Sequence, residues 1–294
     1  MNNSPIVKNY FLILLLSGSF FTLSLSQCIT ERDKILRSTI IGKEINYSIL
    51  LPENYYSNSD SFSVIYLLHG FGGNHNSWLI RCKIDNLVDS LKNHSNIRDF
   101  IFVMPDARNS YYINNYDSSY RVGDFLIQEL IPAIDSLYRT RPNKEHRAIM
   151  GLSMGGFGAI INAIKNYDLF GSVLALSAAV RTESIFKSLP QERYEKYLYG
   201  PGLADTVRIT NHWKENSPYY LIDTTLAKSL SGINWYIDCG LDDFLLPANE
   251  AFHQLLLKRN IPHEYHVRPG KHNWQYWYKS SVNGLLYLNE KLTD

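Results

Sequence analysis

The sequence predicts an α/β protein: a mostly parallel central sheet with helices on both faces. Three observations carry that prediction. Nearly continuous apolar runs of strand length recur along the chain, stretches of helical periodicity fall between them, and no Pro/Ser/Gly linker or repeat divides the series. A strand covered on both faces must be apolar throughout, so such runs read as buried parallel strands. The 294 residues, 45% of them hydrophobic, suffice for one large domain with a sizeable core.

Taken in order, residues 38–51 have partly alternating character and supply antiparallel strands at the start. Residues 62–68, 100–104 and 147–150 read as buried strands, and 172–176, 235–237 and 264–267 continue the series. Ile84, Leu87, Val88 and Leu91 fall at helical spacing. So do Phe252, Leu255 and Leu256, whose helix is closed by Lys258, Arg259, Asn260 and Pro262. Residues 181–231 break the rhythm with scattered Tyr, Pro and Gly and no clear strand. They read as a cover insertion of short helices over one end of the sheet, where long insertions often roof a site, or as an ordinary surface loop.

The first 26 residues read as an address. Lys8 precedes a short apolar run at 10–16, Ser17-Gly18-Ser19 interrupts it, and Ser24 and Ser26 take the −3 and −1 positions of a signal-peptide cut before Gln27. An anchor helix is the alternative, weakened by the break at 17–19. A lipoprotein at Cys28 is another, weakened by Gln27, which is large for the residue before a lipidated cysteine. On the signal-peptide reading, 27–294 is a single secreted or periplasmic domain with no stable membrane span. The formal charge of +1 loses only Lys8 on cleavage, and near-neutrality excludes the basic footprint of a nucleic-acid binder. The 3 cysteines, Cys28, Cys82 and Cys239, form at most one bridge, whose pairing is open; Cys82 and Cys239 are expected to be buried and inert. No metal-ligand spacing and no phosphate loop occur, so neither metal nor cofactor is expected.

The chemistry centres on Gly151-Leu152-Ser153-Met154-Gly155. This Gly-x-Ser-x-Gly pattern follows an apolar strand and precedes a helical stretch at 157–164, the context that makes it a nucleophile elbow. A sharp strand-to-helix turn leaves no room for side chains at the flanking glycines, and the helix start behind Ser153 offers free N–H groups to an oxyanion. A serine hydroxyl needs a base and an orienting acid, which in such sheets follow in the order Ser, Asp/Glu, His after late strands. His272, in the loop after the last strand, is the expected base. His253, His263 and His266 lie in or beside helix and strand. Asp242 and Asp243 both occupy the loop after 235–237. Asp243 is favoured because Gly240 opens the turn and Phe244 can bury behind it; Asp242 is the alternative. The glycine-rich turn His69-Gly70-Phe71-Gly72-Gly73 ends the third strand, so the oxyanion donors are expected to be the backbone N–H groups of Phe71 and Met154.

Residues 67–79, Gly151–Gly156, Cys239–Leu245 and Gly270–Trp274 together resemble the ordered signatures of the esterase D-like α/β-hydrolases. That family includes tributyrin, feruloyl and acetyl xylan esterases, S-formylglutathione hydrolases and mycolyltransferases. The resemblance runs from about residue 38 to the C-terminus and is specific for fold and triad, but not for substrate. It implies an α/β-hydrolase fold, supports Asp243 as the acid, and makes Tyr112 rather than Tyr111 the substrate-side tyrosine. It also likens residues 213–218 to part of the family's cover segment. With Trp78 and Trp274 near the mouth, three aromatics are expected to stack on a phenolic ring or a sugar. The implied protein is a secreted serine carboxylesterase acting on short acyl or feruloyl esters, its partner a small-molecule or oligosaccharide ester. Acyl transfer to a sugar hydroxyl and S-formylglutathione hydrolysis are alternative activities; a non-enzymatic binding protein is a further alternative.

Overall fold

A computed structural model describes residues 27–188, 198–200 and 209–292. The expected signal peptide at 1–26, and residues 189–197 and 201–208 of the excursion, lie outside the described residues. Among the described residues eight strands form one sheet: β1 (Ile29–Ser38), β2 (Lys43–Leu51), β3 (Ser63–Leu68), β4 (Phe100–Pro105), β5 (Arg147–Leu152), β6 (Ser172–Leu176), β7 (Asn234–Gly240) and β8 (Glu264–Arg268). Their spatial order is β1-β2-β4-β3-β5-β6-β7-β8; β2 runs antiparallel to β1 and β4, and every pair from β4 through β8 is parallel.

The central strands β3, β4, β5 and β6 are buried along their whole length, as their unbroken apolar runs require. β1 begins at Ile29, nine residues before the expected start at 38. It is an edge strand carrying Arg32, Asp33, Lys34 and Arg37, and a bulge between Glu31 and Lys34 shifts its register. Charge and a bulge protect an exposed edge from pairing with other chains, and they also hide the strand from a search for apolar runs.

Helices α1 (Ile84–Ser95), α2 (Ile131–Leu137), α3 (Met154–Lys165), α4 (Leu246–Lys258) and α5 (Trp274–Lys291) cover the faces. Residues of α2, α3 and α4 join one core cluster, around Tyr66, Ile149 and Val173. Residues of α1 and α5 join the other, around Phe102, Met150 and Leu174. α3 is buried at nearly every position, because it crosses the middle of the sheet directly behind β5.

Residues 181–231 contain the short helices Glu183–Ser188, Asn211–Glu215, Pro218–Thr224 and Ala227–Ser231. Trp213 is buried, packing on Phe186 at 5.2 Å and on Tyr220 at 5.5 Å. The Tyr219 hydroxyl donates to the Ala248 carbonyl of α4. Cys28, Cys82 and Cys239 are all buried free thiols, with burial pushing Cys82 and Cys239 up to about 12. Among the described residues no helix is long and apolar enough to cross a membrane.

Candidate active site

Ser153 occupies the turn between β5 and α3 with φ 54° and ψ −115°, a region a non-glycine residue enters at a cost of about 1–3 kcal/mol. The turn is pinned from several directions. Ser153 N–H donates to the Leu176 carbonyl at the end of β6, and its own carbonyl accepts from Ala179 and Phe157. Gly155 is required by close approach: a Cβ there would lie 2.2 Å from the Leu68 carbonyl oxygen. α3 can therefore start against the end of β3 only if that position has no side chain.

His272 and Asp243 reach Ser153 from the loops after β8 and β7. The Ser153 hydroxyl lies 2.9 Å from His272 Nε2, and His272 Nδ1 lies 2.9 Å from Asp243 Oδ2 and 3.1 Å from Oδ1. The imidazole is thus oriented with Nδ1–H on the carboxylate and Nε2 free to accept the serine proton. Burial alone would raise the Asp243 carboxyl. Hydrogen bonds from His272, the Leu245 N–H and the Ser177 hydroxyl hold it below the usual carboxylate range. Asp242 makes no such contact; its N–H bonds the Gly270 carbonyl, beside a separate surface depression.

The turn after β3 lies beside the serine, since a Cβ on Gly70 would come within 3.7 Å of Ser153 Cβ. Its shape is fixed by His69, a buried imidazole held below its ordinary pKa by burial and therefore neutral. His69 Nδ1 donates to the Gly70 carbonyl, and Nε2 accepts from the Ala107 N–H. The Gly72 N–H donates to Asn109 Oδ1 at 2.7 Å. Phe71 stands 51% exposed at the tip of the turn. Met154, the first residue of α3, carries one of the N–H groups that a helix start leaves without an intrahelical partner.

An open cleft of about 610 Å³ meets these groups, lined by Phe71, Asn74, Ile80, Arg81, Ser153, His272, Trp274 and Trp277, among others. That volume is within the range of about 300–1,000 Å³ that suits small-molecule sites. Of the three expected stacking aromatics, only Trp274 lines it. Trp78 is fully buried beneath, meeting Trp274 edge-on at 5.8 Å, and packs in the α1/α5 core. Tyr112 is likewise buried; its ring fills the space above Gly158 and its hydroxyl donates to the His69 carbonyl. Both are supports of the site, not its lining, because nearness in sequence to a turn does not fix which way a ring points. Phe244 also departs from expectation: it is 74% exposed and stands against the His272 ring at 4.7 Å. No described residue of 181–231 lines the cleft, so the described part of the excursion packs beside the site without roofing it.

One contributor, Ser177, is unmarked in the sequence, and a second, Trp277, reads there only as one of the aromatics that follow the base near the mouth. Ser177, at φ 46° just past β6, donates from its N–H to the Asp238 carbonyl, accepts from Trp277 Nε1 and bonds Asp243. Trp277 in turn meets His272 edge-on at 4.8 Å. The Trp274-x-x-Trp277 spacing just after the base was a usable signal for one helical face; a lone serine after an apolar strand was not.

Residues 38–288 match the family described as "Putative esterase". The chain is 29% identical to an acetyl esterase of Caldicellulosiruptor saccharolyticus over 80% of this chain and 86% of that protein. It is 28% identical to Esterase Rv1288 of Mycobacterium tuberculosis over 80% of this chain, spanning 54% of that longer protein. A solved ferulic acid esterase superposes with a TM-score of 0.75 at 27% identity, over 90% of this chain and 98% of that one. With the sheet order, the serine turn and the imidazole–carboxylate pair already in place, the chain belongs to this esterase family and is a carboxylic ester hydrolase of the α/β-hydrolase fold.

Proposed function

We propose that Ser153 is the nucleophile, His272 the general base and acid, and Asp243 the residue that orients the imidazole. Ser153 Oγ attacks the ester carbonyl as His272 Nε2 takes its proton, and the imidazolium returns that proton to the leaving alcohol. The N–H groups of Phe71, at the tip of the turn after β3, and of Met154, at the start of α3, bind the oxyanion. Water activated by His272 then releases the acyl group. The observation that carries this reading is the continuous hydrogen-bonded chain Ser153–His272–Asp243 opening onto the cleft.

The substrates we infer are short acyl or feruloyl esters on plant polysaccharide, outside the cytoplasm. The Trp274 face, the cleft volume and the named activities of the acetyl and ferulic acid esterases support this reading, as does the export pattern at 1–26. A stacked ring on Trp274 is worth about 1 kcal/mol. Measuring kcat/KM for methyl ferulate, acetylated xylo-oligosaccharide and S-formylglutathione tests it. Preference for either of the first two is expected, and preference for the thioester would overturn the substrate class. Transfer of the acyl group to added sugar in place of water would make the enzyme a transferase.

A further inference from the structure

A buried carboxylate far along the chain from the nucleophile has two main-chain partners and, among the described residues, no cation within ion-pair distance. Asp89 on α1 is 7% exposed, and its helix neighbours Leu87, Val88 and Leu91 are core residues. Oδ2 accepts the Gln27 N–H at 2.6 Å, and Oδ1 accepts the Cys28 N–H at 3.2 Å. The Cys28 thiol is hydrogen-bonded to the same carboxylate, and burial raises its pKa so that it stays neutral. Among the described residues no Lys or Arg lies within ion-pair distance of Asp89. Lys92, one turn along α1, pairs instead with Asp99 at 2.5 Å. A carboxylate taken out of water needs a compensating charge, and two neutral amides supply less than one.

We infer that the missing cation is the α-ammonium of the processed chain: Asp89 is the docking site for an N-terminus created by cleavage before Gln27. The inference rests on the signal-peptide reading, yet it comes from a different observation. Ser24 and Ser26 put the cut before Gln27 by side-chain size, while Asp89 selects the nitrogen of that same residue by hydrogen bonding. Cleavage turns that nitrogen from an amide into an ammonium where it stands, converting one hydrogen bond into a charge-assisted pair. The pair ties the start of the edge strand β1 to α1. The Cys28 thiol, meanwhile, is buried and hydrogen-bonded to the same carboxylate, a contact that a diacylglyceryl group on the sulfur would break.

Docking also has a chemical consequence. An N-terminal glutamine cyclises when its neutral amine attacks its own side-chain carbonyl; a C–N bond forms and ammonia leaves. The ammonium held by Asp89 has no lone pair for that attack, so Gln27 stays open while the protein is folded.

The test uses the full chain expressed in an exporting host, with intact-mass analysis of the N-terminus. Thermal unfolding is then compared for the mature chain, a chain retaining Ser26, and the Asp89→Asn variant of each. The inference expects an open Gln27 terminus. It further expects a fall of a few degrees in Tm when Ser26 is retained, and little further loss from Asp89→Asn in that extended chain. Mature Asp89→Asn should lose one ammonia from Gln27 several-fold faster than the parent. An N-terminus at Met1, at a lipidated Cys28 or at any residue other than Gln27 would remove the cleavage reading, and the docking with it. A Gln27 terminus already cyclised at isolation, or a Ser26-retaining chain as stable as the mature one, would overturn the docking while cleavage stands. The Ser26 comparison decides the matter even if Asp89→Asn does not fold.

Discussion

Asp238 lies inside β7 and Asp243 in the loop that follows it, and both are almost wholly removed from solvent. Asp238 is surrounded: Arg268, Tyr276, Ser280 and Tyr236 all donate to it. Asp243 receives His272, Ser177 and the Leu245 N–H. By burial and number of partners, Asp238 is the more elaborate site. It has no route to the chemistry, because every partner is itself held in the core or on the neighbouring strand. Asp243 has fewer partners, but one of them is an imidazole whose other nitrogen faces the nucleophile in an open cleft. A buried carboxylate is therefore marked as functional by what its partner touches next, not by how firmly it is held.

Mutations should separate the two along that line. The largest effect belongs to the group at the end of the Asp243 chain. Ser153→Ala should lower kcat by about 10⁵–10⁶-fold in a protein that still folds, measured by ester turnover together with thermal unfolding. Relief of the strained φ at Ser153 is not expected, since alanine also disfavours it. Asp243→Asn should cost about 10³–10⁴-fold in kcat with a smaller change in stability, because the amide leaves His272 without a carboxylate to fix its tautomer.

Asp238→Asn should show the reverse pattern, losing stability and keeping kcat per folded molecule. Arg268 is 32% exposed, so water softens the loss of its partner toward the low end of the about 3–5 kcal/mol that breaking a buried pair costs. Urea denaturation alongside active-site titration would distinguish the two mutants. Equal activity losses in both would erase the distinction drawn here.

Acid should sharpen it further. The folded pKa of Asp243 lies below that of an unfolded aspartate, about 3.9. Its carboxylate therefore stabilises the fold above about pH 4, and that contribution is lost as pH falls through the lower folded value. The stability gap between the parent and Asp243→Asn should narrow on acidification from about pH 4 downward, followed by denaturation at each pH.

The smallest effect concerns the corrected aromatics. Tyr112→Phe removes one hydrogen bond to the His69 carbonyl and should cost about 1 kcal/mol of stability. The ratio of KM for feruloyl to acetyl esters should not move. Trp274→Ala should raise KM for the feruloyl ester more than for the acetyl ester, because only Trp274 of the three rings reaches the cleft.

These cases also explain what could be read in advance. Ser153 was legible because its two glycines, the strand before it and the helix after it all serve one steric demand, and local sequence records such demands. His272 was legible as the histidine in a loop at the sheet's carboxyl edge. Asp243 and Asp242 were harder to separate, since the choice depends on where Gly240 and Gly270 let two loops approach, a tertiary matter. Trp78 and Tyr112 misled because nearness to a turn in the sequence does not fix which side of a sheet edge a ring takes. Ser177 left no local trace. β1 hid behind the charges that protect its edge, and the aromatics opening α5 drew attention as a mouth before they could be read as the first turn of a helix.

The most direct test of the central claim is labelling with a fluorophosphonate probe, followed by peptide mapping. Such a reagent is trapped by a serine whose proton is taken by a base, so it reports the Ser153–His272–Asp243 chain as a unit. The account predicts stoichiometric modification at Ser153, abolished by His272→Ala, strongly slowed by Asp243→Asn and unaffected by Asp242→Asn. Labelling at any other serine with Ser153 untouched, or equal labelling rates in Asp243→Asn and the parent, would contradict it.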